Sequence, residues 1–228
     1  MDFAFTEDQR TIREAVLQHC SQFSDDYWLE TDRTGTFPQA FYASMAEAGW
    51  LGVAMPESVG GSGLGITEAA IMMQAVAESG AGMTGASAIH LPVFGLDPVI
   101  LFGTPDQQQR MIPPILRGEE KMCFAVTEPN TGLDTTSLKT RAKKVDGGYL
   151  ISGEKIWITQ AHLADHMLII ARTTALEEVK RKTEGLSLFY TRIDRSKVET
   201  RIIPKMGRHA VGSNMVFITD LLVPDEDR

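Results

Sequence analysis

Residues 104–126, TPDQQQRMIPPILRGEEKMCFAV, contain the point at which the chain changes texture. Thr104-Pro105-Asp106-Gln107 combines a helix N-cap, a proline suited to the first helical position and a capping-box glutamine. The helix it predicts stops near Gly118. From Lys121 the pattern becomes short apolar runs separated by turn residues, beginning with Met122–Val126.

Upstream the signals are helical. Thr6 and Gln9 form a capping-box pattern, with Ile12, Val16, Cys20 and Phe23 behind it on one face. Pro38 suits a first helical turn, and Gly49 ends the segment carrying Phe41 and Met45. Residues 56–65 form a loop, Thr67 is the expected cap of a helix running to Gly80, and a broken helical stretch follows from Gly85 to Phe102. Downstream, further short runs fall at Tyr149–Ser152, Ile156–Thr159, Met167–Ala171, Leu186–Tyr190 and Val216–Leu222, and Asp146-Gly147-Gly148 is a hairpin turn. Helices first and strands second, without β-α alternation, predict an α+β fold. An N-terminal all-helical domain, residues 1–118, precedes an antiparallel β-barrel-like middle domain, residues 119–228.

The 228 residues are 43% hydrophobic and 23% charged, a globular composition. The formal net charge of −8 argues against nucleic-acid binding, which wants a basic face. Cys20 and Cys123 cannot supply a disulfide framework and fit a reducing compartment. The opening Met1-Asp2-Phe3, with Glu7 and Asp8 behind it, lacks the basic start of a secretory signal. The uncharged stretch Ser79–Leu96 is too interrupted by glycines, His90 and Pro92 for a membrane span. These features predict a soluble, cytoplasmic chain.

Most single motifs have an ordinary reading. Gly60-Gly-Ser-Gly-Leu-Gly65 is a plain flexible turn, because no strand precedes it as a nucleotide loop would need. The five histidines do not group at metal-ligand spacing, and Asp225-Glu226-Asp227 is a solvated acidic end. Two segments stand apart: residues 123–140, CFAVTEPNTGLDTTSLKT, and 155–160, KIWITQ. Alone, Trp157 reads as a core aromatic and Thr159 as a strand residue. Together the segments offer threonine hydroxyls, strand amides and a flat indole, the set that an isoalloxazine ring needs.

Several motifs in order resemble an acyl-CoA dehydrogenase across the whole chain. They are the opening through Gln9, Gly49-Trp-Leu-Gly-Val-Ala-Met-Pro-Glu57, Ala125-Val-Thr-Glu-Pro-Asn-Thr-Gly-Leu-Asp134, Gly153-Glu-Lys-Ile-Trp-Ile-Thr159, Lys205-Met-Gly207 and Leu222-Val-Pro224. The resemblance implies FAD as cofactor and α,β-dehydrogenation of an acyl-CoA to a trans-2-enoyl-CoA. It also implies an electron-transfer flavoprotein as acceptor and a homodimer or homotetramer. Phe124, Val126 and Thr127 would line the flavin, with Gly132 letting backbone approach it. Trp157 would pack on the ring with Ile158 beside it, and Thr159 would place a hydroxyl near N5. In the family a C-terminal four-helix bundle supplies the catalytic base. No residue here is therefore assigned as base, Glu128 included, and the 228 residues alone are expected to be inactive.

The chain departs from the pattern at Leu133, where the family has a small hydroxyl residue that can bond the cofactor's phosphates beside the acyl-CoA. Gln160-Ala161 stands where Asn-Gly is common, and Thr135, Thr136 and Thr140 with Lys139 look like a subfamily trait. Alternatives on the same scaffold are an acyl-CoA oxidase, a flavin monooxygenase, or a non-catalytic interaction module.

Overall fold

A computed structural model describes residues 4–228 and divides the chain into two units. One runs through Glu119 and also takes in Lys205–Val211. The other holds Glu120–Pro204 and Gly212–Arg228.

The first unit is helical: α1 Glu7–Cys20, α2 Asp25–Thr34, α3 Gln39–Glu47, α4 Ile66–Val76, α5 Gly82–Phe94, α6 Asp97–Phe102, α7 Pro105–Met111 and α8 Pro113–Leu116. Thr6 and Gln9 exchange the two bonds of a capping box at the start of α1, and Thr104 and Gln107 do the same at α7. Thr67 does not cap α4. The Glu68 carboxylate reaches back 3.0 Å to the Gly65 N–H, so Gly65 is the cap and the helix begins two residues earlier than expected. The helix expected to run from Thr104 to Gly118 is broken at Ile112, because Pro113 and Pro114 have no N–H to continue it.

By length and hydropathy the helical path Ile66–Phe102 is long and apolar enough to cross a membrane. Its conformation and packing are those of a core. The path kinks at Gly80, φ 92°, and Gly82, φ 54°, and Ala69, Met72, Ala75, Ile89 and Val93 pack with Val16, Phe41 and Leu51. The Gly60–Gly65 turn is tied down by backbone. Ser62, Gly63 and Leu64 donate to the carbonyls of Gly52, Met55 and Val53, and a Cβ on Gly61 would lie 2.1 Å from the Met55 oxygen.

The second unit is a seven-stranded sheet: β1 Met122–Ala125, β2 Arg141–Val145, β3 Gly148–Thr159, β4 His166–Arg172, β5 Leu186–Arg192, β6 Val198–Ile202 and β7 Ser213–Pro224. The α+β class stands, but the sheet is mixed where antiparallel pairing is expected. β1 runs parallel to β4, Met122 opposite His166, and β2 touches the same strand in parallel at Arg141 and Arg172. The antiparallel pairs β2–β3 and β4–β5 join neighbours in sequence, as hairpins require. No hairpin binds β1, so its direction is set by the later strand it meets. β1, β5 and β6 each pair with a single strand of the sheet. Cys123, Ala142, Ile151, Met167, Phe189 and Val216 lie in the sheet's core. Both cysteines are free and buried, and burial pushes the Cys123 thiol up to about 12.

Candidate functional site

The site is built from a defect in β3. Lys155 pairs with Val216 of β7 and Ile158 with Asn214, so Ile156 and Trp157 together oppose a single residue. This bulge turns Trp157 into the left-handed region, φ 63°, and leaves its side chain 58% exposed. A non-glycine residue there costs about 1–2 kcal/mol, and an exposed indole forgoes burial. On either side the chain points inward: the Lys155 side chain is fully buried, and Ile158 is 2% exposed in the sheet's core. Ile158 is therefore enclosed, and its carbonyl is taken by the Asn214 amide at 2.9 Å.

β1 is brought alongside. Cys123 and Ala125 face the core, Phe124 is partly exposed, and the Ile156 N–H donates to the Thr127 carbonyl at 2.9 Å. That bond sets Thr127 beside the Trp157 bulge. Among the described residues neither the Thr127 nor the Thr159 hydroxyl has a hydrogen-bond partner. The outcome is an exposed indole with a partly exposed threonine on each side of it, one from β1's extension and one from β3.

The loop from Val126 to Thr140 is fixed by charge. The Glu128 carboxylate accepts the Lys139 N–H at 2.6 Å, the Thr140 N–H at 2.9 Å and the Thr140 hydroxyl at 2.5 Å, and it pairs with Lys155 Nζ at 3.0 Å. Lys155 Nζ also donates to the carbonyls of Val126 and Ile170 at 3.0 and 2.9 Å. Three acceptors match the three hydrogens of an ammonium, so the lysine is held charged although burial lowers its pKa. Burial alone would raise the Glu128 pKa, but the Thr140 and Lys139 bonds and the Lys155 charge bring it below the usual glutamate value. Deleting either partner of such a buried pair costs about 3–5 kcal/mol.

Further along, Asp134 accepts from the Thr136 and Ser137 hydroxyls and from Lys182, which hold its pKa well below the usual carboxylate range. Arg172 is buried and donates to the carbonyls of Leu138, Glu184, Lys182 and Thr136. Gly132 and Leu133 project from this framework. A Cβ on Gly132 would meet nothing within 4 Å, so the chain's own packing does not require glycine there. Leu133 is fully exposed. The structure thus places Phe124, Val126, Thr127, Trp157 and Thr159 on adjoining strand segments and Gly132 and Leu133 on the neighbouring loop, while the Ile158 side chain lies inside. Sequence reasoning left out Lys155 and Arg172, although a lysine within the apolar strand Ile156-Trp-Ile is itself a signal of a buried partner. Among the described residues no three His, Cys, Asp or Glu side chains group as a metal site.

Family models match over two stretches, the acyl-CoA dehydrogenase N-terminal domain over residues 6–119 and the acyl-CoA dehydrogenase middle domain over 123–221. The chain belongs to the acyl-CoA dehydrogenase family.

Benzylmalonyl-CoA dehydrogenase of Aromatoleum aromaticum is 35% identical over 100% of this chain and 59% of its own length. The caffeyl-CoA reductase–Etf complex subunit CarC of Acetobacterium woodii is 29% identical over 98% of this chain and 58% of its own. The crystal structure of an acyl-CoA dehydrogenase from Geobacillus kaustophilus superimposes with a TM-score of 0.90 at 23% identity, covering 100% of this chain and 59% of that one, and shows the shared fold. The chain thus spans about three fifths of the length of these relatives. The residues around Trp157 fit a flavin in their donor set: an apolar face at Trp157, two available hydroxyls, and bare backbone at Gly132. They offer no hydroxyl at Leu133 for a phosphate.

Proposed function

We propose that the whole protein is an FAD-dependent acyl-CoA dehydrogenase forming a trans-2-enoyl-CoA, and that residues 1–228 supply its flavin-facing wall. One observation carries this reading: the strained, exposed indole of Trp157 set between two threonines with available hydroxyls. In that reading Trp157 offers the ring a face, Thr127 bonds the pyrimidine edge, and Thr159 places a hydroxyl on the N5 side. Phe124 and Val126 add apolar wall, Gly132 and Leu133 contribute main chain, and the buried Ile158 anchors the strand between Trp157 and Thr159. FAD, when bound, supplies the acceptor for the substrate's β-hydrogen. Glu128 cannot take the α-proton, because its oxygens already accept three hydrogen bonds and the Lys155 ion pair. We place that base outside residues 1–228, and the working form as a homodimer or homotetramer. An electron-transfer flavoprotein is the proposed acceptor, supported by the relative named for an Etf complex.

The test is anaerobic titration of the purified whole protein with acyl-CoA thioesters. Two relatives are named for aryl-bearing thioesters, which makes those the first to try. Stoichiometric FAD, bleaching of the flavin and an enoyl-CoA product are expected, with reoxidation by an electron-transfer flavoprotein and slowly by air. Prompt peroxide release in air would make it an oxidase. Absence of flavin, or no bleaching by any thioester, would overturn the reading.

A further inference from the structure

The glutamate that follows Thr127 has no place in the chemistry above, yet it is the most heavily bonded carboxylate in this part of the chain. Its partners bracket Thr127. On the N-terminal side, the Val126 carbonyl accepts from Lys155 Nζ at 3.0 Å, and the same nitrogen pairs with Glu128 Oε1 on the C-terminal side at 3.0 Å. The Thr127 carbonyl itself accepts from the Ile156 N–H. Lys155 and Ile156 are the two residues just before Trp157, so one buried pair fixes the main chain on both sides of the threonine and the strand that presents the indole. Thr140 closes the cluster, giving both its N–H and its hydroxyl to Glu128. Replacing an ion pair by apolar groups would serve stability equally well. What apolar groups cannot do is aim a polar main chain: the pair holds the carbonyl of Val126 and the amides of Lys139 and Thr140 in one register.

We propose that the buried Glu128–Lys155 pair is a positioning device that sets the Thr127 hydroxyl for the flavin, so that Glu128, Lys155 and Thr140 act on the cofactor through Thr127. The proposal rests on the reading of Thr127 and Trp157 as flavin-facing residues.

The experiment measures FAD affinity and melting temperature of the whole protein for Glu128→Gln and Thr140→Val, each with and without Thr127→Ala. Glutamine keeps the shape but turns an N–H donor toward the Lys139 amide. Valine removes only the hydroxyl bond and leaves the ion pair, so it decides the matter if the glutamine variant does not fold. FAD binding is expected to weaken about tenfold in Glu128→Gln and about threefold in Thr140→Val. Both effects should fall below about twofold once Thr127 is alanine, because the threonine is the link through which they act. Equal losses in both backgrounds, or unchanged affinity in Thr140→Val and Glu128→Gln, would overturn the proposal and leave the pair a purely structural one. Tight FAD binding that ignores Thr127→Ala would overturn it too while sparing the flavin assignment. A wild-type protein that binds no FAD would sink the functional reading first.

Discussion

Trp157 combines a φ of 63° with an indole 58% exposed, and neither feature helps the chain to fold. Glycine at that position would remove the left-handed penalty at the loss of little burial. Trp157→Gly is therefore expected to leave the melting temperature unchanged or slightly raised while FAD affinity falls by about two- to tenfold, the scale of an aromatic stacking contact. Thermal melts beside flavin titrations check this, and a marked loss of stability would return the tryptophan to a structural role. Leu133 poses the complementary case. Its side chain is fully exposed, so Leu133→Ser should change stability by less than about 0.5 kcal/mol. If the missing hydroxyl matters for the cofactor phosphates, the serine variant binds FAD more tightly, and equal affinities in a titration would show that it does not.

At the scale of elements, the loop between β1 and β2 is held by its anchors, Glu128 at one end and Arg172 beneath the other. Arg172 spreads its donors over four main-chain carbonyls, two on each of two loops, which only a planar guanidinium can reach together. Arg172→Lys should leave at least one buried carbonyl unpaired and cost about 1–3 kcal/mol, read as a lower denaturant midpoint with unchanged slope. Much of the surrounding fold was legible beforehand. The caps at Thr6 and Thr104 and the Asp146-Gly147 turn carry local rules, and the structure shows them at those residues. The parallel β1–β4 pairing was not legible, since it joins residues about 40 apart with no turn between them to give a signal. β3 reads in sequence as two short runs because its bulges interrupt the alternation, and the same bulges make Trp157 solvent-facing. Family motifs named Thr127 and Trp157, but no residue pattern could show that Thr140, one of an unexplained set of threonines, serves Glu128.

Across the whole molecule the net charge of −8 is unevenly placed. The helical unit holds seven basic and fifteen acidic side chains, and the sheet unit fifteen of each. Carboxylates of ordinary pKa titrate near pH 4, so between about pH 7 and 5.5 this excess stays nearly constant and the histidines dominate the response. His90 and His166 both have pKa values lowered by burial. His90 gives its Nδ1 hydrogen to the Ser87 carbonyl at 2.8 Å. A second proton would face the Arg208 guanidinium, which is bonded to the Ser87 hydroxyl at 2.7 Å. Glu120 and Asp165 favour a protonated His166, but burial and Arg192 outweigh them. The sign follows from proton counts. Below about pH 6.5 the unfolded chain binds protons that the folded chain refuses, so stability falls with pH, by at most about 1.4 kcal/mol per pH unit for each such group. Glu128, with a folded pKa below the usual value, adds a loss of the same direction at lower pH. Melting temperature should therefore drop from pH 7 to 5.5 at constant ionic strength, and His90→Asn, which keeps a donor for Ser87 but cannot titrate, should flatten that drop. A melting temperature that holds or rises on acidification, or a His90→Asn profile parallel to that of the parent, would show that these imidazoles take up protons in the folded state after all.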